Sequence, residues 1–486
     1  MRVTALILAL VSVMCYLAGA ALAQSPVSVA IATMSPGYVI PDDFSGLSFG
    51  AVTELPDHGR VSGLLFSATN TQLVTLFKNS GLHNLRLGGS TVDGIDAAMP
   101  SYAAIDNVFG FAQAVGNLDV IYSLRLLNGS PADDAATVRY IWRRYRPLLV
   151  CFAIGNEPDI RRYHYPPFGT GTDRAITNYT SYLADWIKFA AAITNVVSGA
   201  TFAGPDAASR SWAHLFAVDE WNSGIVSLIT QHYYVGGSPY VNGGTATISI
   251  HEAIDNMLSS NWVVAKYPSL YKSALLPVVA DGLPWRLTES NDYLKGVANA
   301  SDAFASALWA LDYLHWWAAH GCGGVNFHNT EWLKTDTVYL DAFGNYEANP
   351  KAYGIRAFDL GGHGQVKPLT MTNINGLNLT AYAVGTTTNL YVTIINKEHG
   401  IGARAAAVTI VPNGLSSGSV AAMFLAAPNG NVEATNGMTL GGAAITNNTL
   451  WLGQWTGLNP VTNGQCTVAV PAASAAVVKI SANRIL

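Results

Sequence analysis

Charge is scarce in this chain: only 12% of its 486 residues are Asp, Glu, Lys or Arg, about half of the ~25% usual in globular proteins. Cysteine is scarcer, with 4 in all, at Cys15, Cys151, Cys322 and Cys466. Cys15 belongs to the leader described below. The other three are widely separated and lack paired ligand spacing, so neither a disulfide scaffold nor a structural zinc site is expected. Cys151 and Cys322 read instead as small buried residues of core strands. No run of Lys or Arg is long enough to track a phosphate backbone, and the formal net charge is −5, so nucleic acid is not an expected partner. No internal repeat recurs, which argues against a solenoid or propeller. Beyond residue 23 no apolar run is long enough for a membrane span.

What is present is apolar residue in quantity, 50% of the chain, enough for a substantial core. Residues 1–23 combine an early Arg2, a long apolar stretch and the small-x-small ending Ala21-Leu22-Ala23. That pattern predicts a secretory signal cleaved before Gln24 and a secreted or periplasmic protein.

The first two-thirds alternate short β-type runs with amphipathic helical stretches, the pattern of a parallel sheet with crossover helices. Eight strands are predicted, at Gly46–Val52, Asn84–Leu87, Leu118–Leu124, Leu148–Ile154, Thr201–Ala203, Val226–Tyr233, Trp285–Thr288 and Gly324–Phe327. Helices are predicted over Tyr182–Val197 and Asp302–Ala319, the latter with Ser301 as N-cap and Phe304, Leu308, Leu311 and Leu314 on one face. Eight βα units make a (β/α)8 TIM barrel over residues 46–358. From about residue 359 helical patterns vanish. Short alternating strands appear, punctuated by Asn-Gly pairs at Asn375, Asn429, Asn436 and Asn463. This predicts a C-terminal antiparallel β-sandwich over 359–486. The strand-like segment Val27–Met34, within 24–45, is a candidate to pair into it.

Strand after strand of the barrel ends in groups capable of chemistry: Gly88-Gly89-Ser90, Asn128, Asn156-Glu157, Asp206, His232-Tyr233, Glu289 and His328-Asn329. Barrel enzymes assemble their sites at these ends. In LLVCFAIGNEPD (148–159) a buried strand delivers Asn156 and Glu157 to its edge. There a carboxyl held partly desolvated suits a general acid, and an amide suits a sugar hydroxyl. In LPWRLTESND (283–292) a strand three further on ends in Glu289, across the barrel mouth. Facing carboxylates suit glycoside hydrolysis, with retention or inversion set by their separation. They could otherwise hold a divalent metal, but no further acidic cluster completes an oxygen shell, so no metal is expected. In Gln231-His232-Tyr233-Tyr234 a tyrosine could donate to Glu289 and keep it an ionised nucleophile. The run Arg161-Arg162-Tyr163-His164-Tyr165 is either a solvated loop or a surface for the leaving group.

N-E-P at the fourth strand, H-Y-Y at the sixth and T-E at the seventh resemble clan A glycoside hydrolases. More narrowly, LRLGGSTVDG (85–94), QHYY (231–234), TESNDY (288–293) and SDAFASALWALDYLHWWAAHGCGGVNFH (301–328) resemble glycoside hydrolase family 79, which contains β-glucuronidases and heparanases. The resemblance implies a (β/α)8 barrel with a C-terminal β-sandwich, a retaining mechanism with Glu157 as acid/base and Glu289 as nucleophile, and no cofactor. It implies Asn156 on the sugar 2-hydroxyl, Ser90 and Asp93 in the −1 subsite, and Glu54 on a ring hydroxyl. It also implies Tyr233, or in its place Tyr234, beside the nucleophile. Tyr293 and Tyr339 become the candidates for a glucuronate carboxylate, with Lys295 as a further cation. The sequence departs from the family here, reading Tyr293-Leu294-Lys295-Gly296 where members often carry consecutive glycines. The expected partner is a carbohydrate containing a β-glucuronide, and the expected activity is exo-β-glucuronidase. An endo-acting enzyme, a neutral-sugar glycosidase and a non-catalytic carbohydrate-binding barrel are the alternatives.

Overall fold

The computed structural model describes residues 25–482 except 60, 95–97, 117, 128, 161–178, 241–245 and 331–332. Residues 1–23, read above as a secretory signal, Asn128 and the run 161–165 therefore lie outside the described residues. No helix among those described is long and apolar enough to cross a membrane.

In chain order, β1 (Ser25–Ile31) and β2 (Val39–Ile40) precede the barrel. Its strands are β3 (Ser45–Gly50), β4 (Asn84–Gly88), β5 (Asp119–Leu124), β6 (Leu149–Ile154), β7 (Phe202–Ala207), β8 (Val226–Tyr234), β9 (Trp285–Asn291) and β10 (Val325–Asn329). They close in the order β10-β3-β4-β5-β6-β7-β8-β9, every pair parallel. The predicted (β/α)8 barrel is therefore the observed one. A hairpin of β11 (Val338–Leu340) and β12 (Tyr346–Ala348) follows β10.

The barrel lumen is layered. At its lower end Arg286 bonds Asn326 Oδ1 at 2.7 Å and Asp43 Oδ2 at 3.0 Å, while Asn84 joins the same carboxylate at 2.9 Å. Above lies a small apolar layer of Ile121, Cys151, Ala153, Ala203 and Leu228, with Cys151 buried and free as expected. A second buried arginine, Arg86, forms the next layer. Glycines make room for both guanidinium groups: a Cβ at Gly88 would lie 2.6 Å from Arg86 Cζ, and one at Gly324 2.2 Å from Arg286 Nη1. Substitution at either would force the cation out of its partners' reach.

The C-terminal strands are β13 (Gly364–Lys367), β14 (Leu369–Thr372), β15 (Leu379–Gly385), β16 (Asn389–Asn396), β17 (Ala406–Pro412), β18 (Gly418–Ala426), β19 (Thr439–Leu440), β20 (Thr456–Val461), β21 (Cys466–Val470) and β22 (Ser474–Ser481). One sheet runs β14-β1-β17-β21, the other β19-β18-β22-β16-β15-β13-β2 with β20 against β18. The sandwich is antiparallel except where β1 runs parallel to β17. Val29, Ile31, Val408, Ile410, Val392 and Val478 are among the residues filling the space between the sheets. Asn375-Gly376, Asn429-Gly430 and Asn463-Gly464 each place both residues at positive φ, the backbone that two-residue turns demand and that Asn and Gly tolerate.

The Phe304–Ala319 helix differs from its sequence expectation. It starts later than Asp302, and every residue from Phe304 to Ala318 is buried. The reason is two-sided packing. Its first free N–H groups bond to sandwich-domain carbonyls, Phe304 to Ala434 O at 2.8 Å and Ala305 to Val432 O at 2.9 Å, so no capping side chain is needed. Halfway along, Asp312 accepts from Lys397 Nζ at 2.6 Å, Tyr382 Oη at 2.7 Å and Thr380 Oγ1 at 2.8 Å. This buried ion pair ties barrel to sandwich. Asp312→Ala strands the Lys397 ammonium and is expected to cost about 3–5 kcal/mol, read as a lowered denaturation midpoint. A loss below about 1 kcal/mol, the value of a solvated pair, would show that water reaches the junction.

Candidate functional site

Arg86 stands in the middle of an otherwise apolar strand and has no exposed surface. Nη1 donates to Ser48 Oγ and Glu289 Oε2, both at 2.9 Å; Nη2 donates to Asn156 Oδ1 at 2.7 Å and Asp206 Oδ2 at 2.8 Å. Residues from β3, β7 and β9, and from the end of β6, thus meet on one cation. Burial disfavours the charged guanidinium, but Asp206 and Glu289 outweigh it and push its pKa up.

Glu289 reaches this centre through a β-bulge. In the pairing of β8 with β9, Gln231 faces Leu287 and the next residue, His232, faces Glu289. Thr288 is the extra residue, and both it and Glu289 turn inward, as bulges re-aim side chains. Thr288 Oγ1 donates to Asp206 Oδ1 at 2.6 Å. Glu289 Oε1 accepts from Tyr234 Oη at 2.8 Å. Burial alone would raise the Glu289 pKa. Against it, His328, His232, Arg86 and the Tyr234 hydrogen bond pull it down to about 2. Glu289 is therefore a fixed, fully ionised carboxylate at neutral pH.

Glu157 follows β6 with φ at 43°, a left-handed conformation uncommon for a residue with a β-carbon. Its N–H donates to Asp206 O at 2.7 Å, and Asp206 itself has φ at 51°. Such strain concentrates at functional sites, where the surroundings hold it in place. The Glu157 carboxylate meets His232 Nδ1 at 3.1 Å. That same nitrogen lies 3.9 Å from Glu289 Oε2, and His232 Nε2 lies 3.6 Å from Asp206 Oδ1. Burial pushes the imidazole pKa down, but Glu289, Asp206 and Glu157 together raise it to about 10, so His232 is a standing cation between the carboxylates. One ligand atom each from Glu157, His232 and Glu289 lies within 4.8 Å of the others. Asn156 spends its oxygen on Arg86, while its buried Nδ2 has no hydrogen-bond partner among the described residues and can donate to a ligand.

The structure sorts the other predicted residues. Tyr234, not Tyr233, bonds Glu289; Tyr233 faces outward, with its hydroxyl on Lys266 O at 3.2 Å and its ring against Trp317. Strand alternation dictates this, since His232 and Tyr234 share the inner face. Asp93 is turned to the backbone. It is 1% exposed and accepts the N–H groups of Leu126 and Leu127 at 2.9 Å and Asn156 at 3.1 Å, so it positions the residue before Glu157. Ser90 is exposed on the rim. Glu54 is buried and accepts from Tyr122 Oη at 2.8 Å, its pKa raised by burial to about 8. It is a neutral acid at pH 7, lining a cavity with Thr91, Val92, Met99 and Arg125. Tyr293 is 2% exposed. Its ring packs on Trp262, with centroids 5.7 Å apart. Gly236 leaves room for that ring against the loop after β8, since a Cβ there would lie 2.0 Å from Tyr293 Cε1. Lys295 is exposed, and Tyr339 lies half-buried on the β11–β12 hairpin.

Sequence reasoning placed Asp206, His232 and His328 among the strand-end groups without a specific task and passed over Arg86. The available signal for Arg86 was a lone charge inside an apolar strand, which a barrel interior can hold only if it is paired.

Residues 377–477 match the model described as the glycosyl hydrolase family 79 C-terminal beta domain. No curated protein matches the chain. Among solved structures, it is similar to a 4-O-α-L-rhamnosyl-β-D-glucuronidase from Fusarium oxysporum, with 18% identity, a TM-score of 0.67, and coverage of 94% of this chain and 100% of that one. A family 51 arabinofuranosidase from Xanthomonas axonopodis pv. citri gives 14% identity and a TM-score of 0.66, with coverage of 94% and 100%. A family 44 xyloglucanase from Paenibacillus polymyxa gives 10% identity and a TM-score of 0.61, with coverage of 94% and 99%. All three are glycosidases that share the fold across nearly their whole length. The resemblance to glycoside hydrolase family 79 read from the barrel's motifs is thus met, in the C-terminal domain, by a match to that family's own model.

Proposed function

We propose that the protein is a secreted, retaining glycoside hydrolase acting as an exo-β-glucuronidase. The observation that carries the mechanism is the approach of Glu157 and Glu289 to within 4.8 Å. Retaining enzymes hold their carboxyl groups about 5–5.5 Å apart, whereas inverting ones need ~6.5–9.5 Å to admit a water. Glu289, ionised and held by Arg86 and Tyr234, attacks the anomeric carbon. Glu157 donates a proton to the departing oxygen, then as a carboxylate takes one from the water that cleaves the glycosyl-enzyme. Asn156 Nδ2 donates to the 2-hydroxyl.

Support for a uronic acid comes from the family 79 match and the likeness to the Fusarium glucuronidase. A net charge of −5 disfavours binding long polyanions, hence exo rather than endo action. A neutral sugar is the second reading. It is favoured by the burial of Tyr293 against Trp262 and by the likeness to arabinofuranosidases.

The first test is turnover of matched p-nitrophenyl β-glucuronide, β-glucoside, β-xyloside and α-arabinofuranoside, with the released anomer followed by NMR. Glucuronide should lead and β-anomer should appear first; a leading neutral substrate would overturn the uronate assignment, and a first α-anomer would overturn retention. Glu157→Ala is expected to lose about 10²–10⁴-fold in kcat/KM, the usual worth of general acid–base catalysis, and least on substrates with good leaving groups. An equal loss on all leaving groups would contradict its role.

Tyr234→Phe tests the nucleophile's environment. Removing a donor to the ionised form raises the Glu289 pKa from about 2, so the acidic limb of kcat/KM governed by this group moves to higher pH. Loss of one charge-assisted hydrogen bond is expected to cost roughly ten- to a hundredfold in rate. An unchanged pH profile would remove Tyr234 from the mechanism.

A further inference from the structure

On the opposite, N-terminal side of the barrel, three potential ligands converge. His83 immediately precedes β4. Asp359 lies in the last turn of the Pro350–Gly361 helix, and His363 follows four residues later, just before β13. His83 Nε2 is 2.7 Å and His363 Nε2 2.9 Å from the same oxygen, Asp359 Oδ1. All three atoms lie within 4.8 Å of one another. The rings meet edge to face, with centroids 5.7 Å apart.

Two features make this more than a surface cluster. The Asp359 carboxylate is locked: a Cβ at Gly81 would lie 2.6 Å from its Cγ, so the carboxylate packs onto bare backbone. Arg356 holds the other oxygen, Oδ2, at 2.6 Å, leaving Oδ1 turned toward the imidazoles. In addition, Asp42 Oδ1 stands 3.8 Å from His363 Nδ1, which sets a second carboxylate at the edge of the cluster. The side chains of His83 and His363 are 26% and 38% exposed, so an ion has access and a fourth position stays open to water.

We propose that His83, His363 and Asp359 form a binding site for a divalent transition metal of zinc's class, clamping the start of β4 to the segment that enters the sandwich. Two imidazole nitrogens and one carboxylate oxygen are an accepted ligand set for such ions. Tetrahedral zinc, with Zn–N near 2.0–2.1 Å, wants its nitrogens about 3.3 Å apart, a spacing within reach of small ring rotations. The Glu157–His232–Glu289 group is a poor competitor, because Arg86 and Tyr234 occupy Glu289 and His232 carries a proton.

Calorimetric titration of the EDTA-stripped full chain with ZnCl2 tests this. One site is expected, with a Tm that rises with zinc. His83→Ala and His363→Ala should each weaken binding at least tenfold and abolish the Tm rise, while Glu289→Gln should leave both unchanged. His363→Gln, which keeps a donor for Asp359, should retain the zinc-free Tm of the wild type and gain nothing from zinc. No uptake by the wild type, wild-type affinity in both alanine variants, or loss of uptake in Glu289→Gln would each overturn the site.

Discussion

Everything at the barrel mouth depends on one buried cation. An arginine sealed inside a β-barrel is tolerable only when its charge and donors are met, since the desolvation cost of an unpaired ion is several kcal/mol. Arg86 meets its charge with the Glu289 and Asp206 carboxylates and sets its two terminal nitrogens on these, Ser48 and Asn156, while Nε has no hydrogen-bond partner among the described residues. Those partners come from widely spaced parts of the chain. Closing the barrel and assembling the site are therefore one event, because displacing any of these strands leaves the guanidinium short of a partner. The second arginine, Arg286, imposes the same logic on the lower end through Asp43 and Asn326.

The two glutamates then acquire different characters from their surroundings. Glu289 is gripped on both oxygens, by Arg86 and Tyr234. Glu157 sits on a strained residue at a strand end and is touched by one imidazole. Pairs of like groups placed in unlike environments are how one site supplies both a nucleophile and a proton carrier. His232 lies between them as a cation, which offsets the repulsion that two carboxylates at this distance would otherwise feel. Asp206 in turn holds His232, Arg86 and Thr288 in register from below.

Much of this was legible in the sequence. The alternation of strands and helices predicted the barrel, and strand-end placement picked out Glu157 and Glu289. What failed to show had physical reasons. The choice between Tyr233 and Tyr234 turns on which residues of β8 face inward, and short aromatic runs carry no such parity signal. The hold of Asp93 on the backbone was hidden because its three N–H partners lie 33 to 63 residues away. Phe304–Ala319 suggested a one-sided amphipathic helix, yet it is enclosed by two domains, and the sandwich supplies its N-terminal acceptors. Period and propensity describe a segment against a single core; they do not report a second surface that arrives from 130 residues downstream.

The same distinction separates catalysis from sugar choice. Glu157 and Glu289 stand at the ends of strands, and the barrel's closure determines where those ends point. Residues expected to read a uronate, Tyr293, Lys295 and Tyr339, stand on the loops after β9 and β10. Loop positions follow local packing instead, and a single glycine, Gly236, suffices to let Tyr293 pack against Trp262. A shared barrel can thus keep its strand-end groups in place while its loops turn to different sugars. This is consistent with the same fold appearing in a glucuronidase, an arabinofuranosidase and a xyloglucanase at identities of 10–18%. In this chain Arg86 ties the strand ends to one another, and the loops are free of that constraint.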